Sequence, residues 1–258
     1  MLFPSFSLPG VPAVSETLSR PSIVRLNDTA TRFSPLALGH ADPFAAQRGI
    51  AWTNDVLAAG QVAWTGGQLD VAAYPHTELA VVNEGALLVE VVAATGAPVT
   101  TRLTAGQAVV LSRGAAFRLR ADGPVGWSFC AALAPTAKPA PQWLAIDAQA
   151  ALSPSAPPAA DVLLGPVPAC RSANAFSDTA TGLRVGVWDS TPYARRAVPH
   201  RVSELMHILE GAVTLTDEFG IDVRVAEGDT VFVPRGTLCA WTSTVPVRKI
   251  YAIQDIRA

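Results

Sequence analysis

The sequence contains two copies of one pattern, and this internal repeat constrains the fold more than any other feature. In the first half, "ELAVVNEGALLVEV" (Glu78 to Val91) precedes "AGQAVVLSRGAAF" (Ala105 to Phe117). In the second half, "ELMHILEGAVTLTD" (Glu204 to Asp217) precedes "EGDTVFVPRGTLC" (Glu227 to Cys239). In both copies a glutamate stands seven residues before a glycine, and two later glycines stand eight residues apart. The repeat predicts two similar structural units in one chain.

Each copy consists of short runs rich in Val, Leu, Ile, Thr and Phe, which Gly, Pro and Asp interrupt. This pattern predicts β-strands, and "DEFGIDV" (Asp217 to Val223) predicts a hairpin turn with Gly220 at positive φ. Between the copies, "QWLAIDAQAAL" (Gln142 to Leu152) is the best helical candidate, and the Pro/Ala-rich segments around it indicate a linker. We therefore predict an all-β protein of two β-barrel units, with an N-terminal unit over residues 1–133, a linker over 134–161 and a C-terminal unit over 162–258.

The composition excludes several classes of partner. The formal net charge is −2 and no cluster of Lys or Arg occurs, so we expect neither a nucleic-acid nor a membrane partner. No run of about 18 apolar residues occurs that could span a membrane. The three cysteines, Cys130, Cys170 and Cys239, are far apart, which fits a reducing compartment. The N-terminus lacks the basic region of a signal peptide, and we expect a cytoplasmic protein.

The second copy resembles the cupin superfamily, whose jelly-roll barrels carry two short ligand motifs. "HRVSELMHILEG" and "GDTVFVPRGTLC" match these motifs, with Val198 in place of the leading histidine and Cys239 in place of the last one. The closest resemblance is to the cupin family that includes (S)-ureidoglycine aminohydrolase and an ethanolamine-utilisation protein. It extends over residues 180–255, and more faintly over 60–133. The resemblance implies two tandem cupin barrels, a bicupin.

The resemblance also implies a ligand set for a divalent transition metal in the C-terminal barrel, with Zn, Fe, Mn and Cu not distinguished: His200, Glu204 and Cys239. These side chains meet only if the chain bends between His200 and Glu204, because four residues of straight strand span about 13 Å. The alternative is a metal-free polar pocket in which Glu204 pairs with an arginine. Strand alternation predicts His207 on the opposite face, packed against the other barrel or a partner chain, and Glu210 in solvent. In the N-terminal barrel Tyr74 and Phe117 replace ligands, and we expect no metal there.

Aromatic, apolar and basic residues near these motifs form a candidate small-molecule pocket: Trp188, Tyr193, Met206, Arg235 and Trp241. The leading hypothesis is a metal-dependent enzyme that acts on a small polar metabolite, with C–N bond chemistry suggested by the resemblance and no catalytic residue assigned. The alternatives are a non-catalytic binding or sensor protein without metal, and a structural cupin. Exposed strand edges and apolar sheet faces are compatible with a homodimer.

Overall fold

The computed structural model describes residues 23–91, 99–133 and 143–255, and nearly all of its regular structure is β-strand, as predicted. A 3₁₀ turn spans Ala160–Val162. Within the described residues, no helix has the length and apolar character needed to cross a membrane. In chain order the strands are β1 (Val24–Arg25), β2 (Ser34–Pro35), β3 (Arg48–Thr53), β4 (Leu57–Trp64), β5 (Gly67–Val71), β6 (Thr77–Glu84), β7 (Ala86–Val91), β8 (Val99–Thr104), β9 (Ala108–Leu111), β10 (Phe117–Ala121), β11 (Val125–Ala132), β12 (Trp143–Ala145), β13 (Ser153–Ser155), β14 (Cys170–Asp178), β15 (Leu183–Ser190), β16 (Ala194–Pro199), β17 (Ser203–Glu210), β18 (Ala212–Thr216), β19 (Asp222–Ala226), β20 (Thr230–Val233), β21 (Leu238–Thr242) and β22 (Val247–Gln254).

Each barrel is built from a seven-stranded and a four-stranded sheet. In the first barrel the strand orders are β12-β9-β6-β11-β4-β3-β2 and β5-β10-β7-β8. In the second they are β1-β20-β17-β22-β15-β14-β13 and β16-β21-β18-β19. The paired strands are antiparallel, and β3 to β11 occur in the same spatial order as β14 to β22. The chain therefore folds as two tandem jelly-roll barrels, the architecture that the resemblance implies.

The two barrels share an apolar core formed by the outer faces of their large sheets. From the first barrel, Leu79 and Val110 belong to this core, and from the second, Leu205 and Phe232. Side chains alternate along a strand, so the residues between these positions point into the barrel lumens. Each large sheet is consequently buried on both faces, which explains why β6 and β17 carry long buried runs.

The glycines of the repeat occupy turns that only glycine enters without strain. Gly85 and Gly211 follow β6 and β17 with φ of 76° and 81°. At either position a Cβ atom would collide with the carbonyl oxygen of a proline in the facing turn, Pro124 or Pro246. Gly220 has φ 75° in the β18–β19 hairpin turn, as predicted.

The predicted helix between the copies is wrong. Within 143–152, Trp143–Ala145 forms strand β12, which pairs with β9 of the first barrel, and no helix is present; Gln142 lies outside the described residues. The physical reason is the open edge of β9, which supplies backbone partners, while the two apolar cores accept Trp143 and Leu144 on opposite faces. β13 extends the second barrel, and β1, which precedes the first barrel, also pairs with the second, at β20.

Candidate functional site

The chain bends between His200 and Glu204, as the predicted ligand set requires. Residues 200–202 separate β16 from β17. A carbonyl oxygen only accepts, so Nδ1 of His200 donates to the Val202 oxygen, 2.8 Å away, and this bond orients the ring. Nε2 of His200 then lies 3.4 Å from Oε2 of Glu204. Two of the three predicted metal ligands therefore meet in the lumen of the second barrel.

Lys249, which lies outside the sequence motifs, completes this polar cluster from β22. Its Nζ donates to Oε1 of Glu204 over 2.8 Å and lies 3.0 Å from Sδ of Met206. The same nitrogen lies 4.9 Å from the ring centroid of Trp188 and 5.4 Å from that of Trp241. An ion pair and two cation–π contacts thus hold the ammonium group inside the barrel.

A signal for Lys249 was present in the sequence. The chain contains two lysines, Lys138 and Lys249, and Lys249 interrupts the otherwise largely apolar run "VRKIYAI". Lysine is almost never fully buried without a partner, so an inward position on such a strand indicates a buried carboxylate nearby. Which carboxylate it meets depends on the pairing of β22 with β17, and the sequence alone does not define that pairing.

Glu204 is ionised in the folded protein. Burial raises the pKa of its carboxyl group, but the charge of Lys249 and the contact with His200 outweigh burial and lower the pKa to about 2. The site therefore presents a carboxylate and an ammonium group side by side.

Cys239 does not complete a three-ligand set with His200 and Glu204. Its thiol donates to the carbonyl oxygen of Ala240 over 3.2 Å, and burial raises the pKa of the thiol to about 11. Across the ranges that the structure describes, no three His, Cys, Asp or Glu side chains are placed to hold a metal ion. Lys249 makes the contact with Glu204 that an ion would otherwise make. As arranged here, the donor set does not fit a metal ion.

Aromatic side chains wall the lumen beside Lys249. The ring of Tyr193 stacks on that of Trp241 at 5.4 Å and 11°, and Trp188 stands edge-on to Trp241 at 6.0 Å. Together with Met206, four of the five predicted pocket residues are neighbours. Arg235 is exposed on the turn after β20.

Arg195 brings a further cation to this lumen. It pairs with Trp241 across β16 and β21, so the two side chains share a face. Its Nη1 donates to the carbonyl oxygen of Cys239 over 3.0 Å. Lys249 and His200 thus contact the carboxylate of Glu204, and Arg195 faces the same lumen.

The corresponding lumen of the first barrel is filled by Arg48. Its Nε and Nη2 donate to Asp42 over 2.8 Å and 3.2 Å, and its Nη1 donates to Oε2 of Glu78 over 2.9 Å. The guanidinium carbon lies 4.3 Å from the ring centroid of Phe129. Burial opposes the charge of Arg48, but Glu78 and Asp42 outweigh it and hold the pKa of Arg48 above its ordinary value.

Glu78 is the central acceptor of this network. Besides Arg48, its Oε2 accepts from the Tyr74 hydroxyl at 3.0 Å and from Nε2 of His76 at 2.9 Å. Its Oε1 accepts from Nε1 of Trp127 at 3.3 Å. Burial raises the pKa of Glu78, but Arg48 and His76 bring it down to about 2. Both carboxylate oxygens of Glu78 thus have donors in this lumen, whereas Nδ1 of the buried His76 has no hydrogen-bond partner among the described residues.

Solvent access distinguishes the two lumens. The side chains of His200, Glu204 and Lys249 are 13%, 12% and 9% exposed. The side chains of Arg48 and Glu78 are 0% exposed. The polar cluster of the second barrel therefore has some contact with solvent and that of the first has none, which makes the second barrel the candidate site.

His207 lies on the opposite face of β17, as predicted. It is buried against the first barrel, where a Cβ atom added to Gly106 would lie 3.8 Å from its Nε2. Its Nδ1 lies 3.0 Å from the Thr230 hydroxyl. Glu210, at the end of the same strand, is exposed, also as predicted.

His207 should make the protein sensitive to acid. Burial lowers its pKa to about 4, with a small opposing effect from Asp229. The unfolded chain binds a proton near pH 6.5 and the folded chain does not, so stability is intact above pH 6.5 and falls by up to about 3 kcal/mol towards pH 4. Urea unfolding at pH 7.5 and 4.5 should show a smaller loss for His207→Gln than for the wild type. The exposed His40→Gln variant is the control, and equal pH dependence in all three proteins would contradict the prediction.

The comparisons with known proteins agree with this architecture. The family of EutQ-like cupin domains matches residues 179–251. A crystal structure of a protein of unknown function in the DUF861 family, from Pseudomonas syringae pv. tomato, is 38% identical with a TM-score of 0.85. The match covers 91% of this chain and 100% of that protein. Among curated proteins, none matches this chain.

Two more distant structures share the fold. The protein Ylba from E. coli, also of the DUF861 family, is 13% identical with a TM-score of 0.52, and the match covers 92% of each chain. A cupin 2 conserved barrel domain protein from Leptotrichia buccalis is 9% identical with a TM-score of 0.55, over 80% of this chain and 87% of that one. Together with the two tandem barrels and the full-length match at 38% identity, these likenesses lead to one assignment: the chain is a bicupin of the cupin superfamily and belongs to the DUF861 family.

Proposed function

We propose that the second barrel binds a small metabolite that carries a carboxylate group, and that it does so without a metal ion. The observation that carries this proposal is the polar cluster of the lumen, where Lys249 and His200 contact Glu204 and Arg195 lies on the same face as Trp241. Cations exceed anions around this lumen, and an anionic ligand would balance them. A desolvated charge-assisted hydrogen bond is stronger than a neutral one, which favours a carboxylate over an amide.

The aromatic walls support a small ligand with an apolar portion. Trp188, Tyr193 and Trp241 would cover the carbon skeleton, and the few polar groups would orient it, as in most small-molecule sites. Met206 adds a polarisable apolar contact beside Lys249. In this proposal the pocket residues predicted from the sequence, apart from Arg235, line the ligand.

Titration of metal-free protein tests the proposal. Protein treated with chelator and dialysed should contain less than about 0.1 transition-metal ion per chain and still bind small carboxylates such as succinate or malonate. The matched amides should bind at least about tenfold more weakly, since they lack the charge. Calorimetry and tryptophan fluorescence are suitable measurements, with Arg195→Met as the weakened variant and the exposed Arg171→Met as its control. Equal binding of acids and amides would contradict the proposal.

A metal-dependent enzyme is the second candidate, and one observation favours it. The bond from Nδ1 of His200 to a backbone carbonyl leaves Nε2 directed at Glu204, and metal-binding histidines are commonly oriented in this way. This candidate would require Lys249 to leave Glu204. If carboxylate binding or turnover of ureido and amide compounds emerges only after Zn²⁺, Fe²⁺, Mn²⁺ or Cu²⁺ is added, the metal-dependent candidate replaces the metal-free one.

A further inference from the structure

The pairing of the strands aligns the two lumens residue by residue. Across the large sheet of the first barrel, Arg48 is opposite Val62, Val62 is opposite Trp127, and Trp127 is opposite Val82. The same path in the second barrel runs through Ser172, Trp188, Lys249 and Ile208. Ser172 therefore stands where the first barrel has Arg48, and Lys249 stands where it has Trp127.

Equivalent side chains of the two barrels contact the same oxygen atoms of the central glutamate. Trp127 donates to Oε1 of Glu78, and Lys249 donates to Oε1 of Glu204. Tyr74 precedes Glu78 by four residues, as His200 precedes Glu204, and both approach the Oε2 oxygen. The equivalent positions of the repeat thus make the same contact with the glutamate, even though the residue types differ.

The Oε2 oxygens of Glu78 and Glu204 differ in the number and length of the hydrogen bonds that they accept. Oε2 of Glu78 accepts three bonds of 3.0 Å or shorter, one of them from Arg48. Within the part of the chain that the structure describes, Oε2 of Glu204 contacts Nε2 of His200 at 3.4 Å, a distance that is long for a hydrogen bond. The missing donor corresponds to Arg48, because Ser172 is too short to replace the guanidinium group. A carboxylate on a side chain that is only 12% exposed, with so few donors, favours a ligand that supplies N–H groups.

An aromatic platform for such a group is also present. The ring centroid of Phe129 lies 4.3 Å from the guanidinium carbon of Arg48. Strand pairing puts Tyr251 at the position equivalent to Phe129. Phe129 is opposite Ala80 in the first barrel, and Tyr251 is opposite Met206 in the second. A Cβ atom added to Gly186 would lie 2.7 Å from the Tyr251 hydroxyl, so this ring lies over the lumen side of β15. A planar cation could therefore stack in the second barrel as Arg48 does in the first.

We infer that the ligand of the second barrel carries a guanidinium or amidinium group, which binds Oε2 of Glu204 in the way that Arg48 binds Glu78. The inference rests on the proposed function, since it concerns the same lumen and adds a second group to the same ligand. The ligand is then a small guanidino acid, whose carboxylate faces Lys249 and Arg195. In the complex three cations, Lys249, Arg195 and the guanidinium, face two anions, Glu204 and the ligand carboxylate. Arg48 is the internal counterpart of this ligand.

The direct test compares probes of nearly equal shape. Guanidinoacetate and N-carbamoylglycine differ in whether the terminal group is a cationic C=NH₂⁺ or a neutral C=O, and propionate lacks the group. In metal-free protein, guanidinoacetate should bind about ten- to a hundredfold more tightly than N-carbamoylglycine, because its donors meet a desolvated carboxylate. In the Glu204→Gln variant the preference should shrink to about threefold or less, since the charge is gone. Equal binding of the two probes by the wild type would overturn the inference.

A variant at Ser172, the position equivalent to Arg48, provides an independent test. Ser172→Arg should place a guanidinium group over Glu204 and reduce binding of guanidinoacetate at least about tenfold, as Arg48 closes the first lumen. Ser172→Ala and the exposed Ala175→Arg on the same strand are the controls and should keep wild-type affinity. Unchanged affinity in a folded Ser172→Arg protein would also overturn the inference.

The two proposals fail in different ways. If propionate and the other carboxylates bind but guanidinoacetate shows no advantage, the carboxylate site stands and the guanidinium inference is wrong. If the carboxylates show no binding while free guanidinium or methylguanidinium binds, the proposed function is wrong and the contact with Glu204 stands. If neither the carboxylates nor the guanidinium ions bind to metal-free protein, both are wrong.

Discussion

Replacing Arg48 by methionine should lower the free energy of unfolding by about 3–5 kcal/mol, because it leaves two buried carboxylates without their cation. Asp42 and Glu78 each bond to Arg48, and all three side chains are 0% exposed. Methionine has a similar length and an apolar stem, so the loss of charge dominates over the loss of volume. Urea unfolding at pH 7, followed by circular dichroism, measures the effect.

Two controls define what the Arg48 result means. Arg171→Met breaks an ion pair with Asp189 in which the arginine side chain is 57% exposed, and it should change the free energy of unfolding far less than Arg48→Met does. Combining Arg48→Met with Asp42→Asn and Glu78→Gln removes the stranded charges and should restore part of the stability. A loss below about 1 kcal/mol for Arg48→Met alone would mean that the buried network does not stabilise the first barrel.

Replacing Lys249 by methionine should destabilise the protein by about 2–3 kcal/mol at pH 7 and abolish carboxylate binding. Glu204 would lose its ion pair, and burial would then raise the pKa of its carboxyl group above the ordinary value of 4.5. At pH 7 the uncompensated charge of Glu204 lowers the free energy of unfolding of the variant. Below pH 4.5 Glu204 is protonated in both the folded and the unfolded chain, so this loss disappears. The stability difference from the wild type should therefore shrink as the pH falls from 7 to about 4.

The pH dependence separates charge from packing at Lys249. His207 and the other titrating groups are common to both proteins, so their effects cancel in the difference. The double variant Lys249→Met/Glu204→Gln should recover most of the stability at pH 7 without recovering ligand binding. A difference between Lys249→Met and wild type that stays constant with pH would assign the loss to the contacts of Lys249 with Trp188 and Trp241.

The fold could be predicted because its determinants are local or repeated. Alternating apolar residues specify strands, and positive-φ glycines such as Gly85 and Gly211 specify where those strands turn. The misassigned helix shows the limit of local pattern. Trp143 and Leu144 are compatible with a helix in isolation, and they form a strand because β9 offers an unpaired edge between two apolar cores.

The candidate site was predictable only in part. The motif spacing located His200 and Glu204, and the bend between them brings them within 3.4 Å. Lys249 was missed because it is 45 residues from Glu204 in sequence and meets it through the pairing of β22 with β17. Arg48 was missed for the same reason, since it is 30 residues from Glu78.

By itself, the sequence determined that this protein is a pair of related β-barrels and that the second copy retains the better polar motif. Those properties follow from residue type and spacing along the chain. The tertiary structure alone decided which charges meet: a fully buried Arg48–Glu78 network in one barrel and a Lys249–Glu204 pair with slight solvent contact in the other. The physical reason is that an ion pair depends on the distance between side chains on different strands, and strand register and burial, rather than sequence separation, set that distance and its strength.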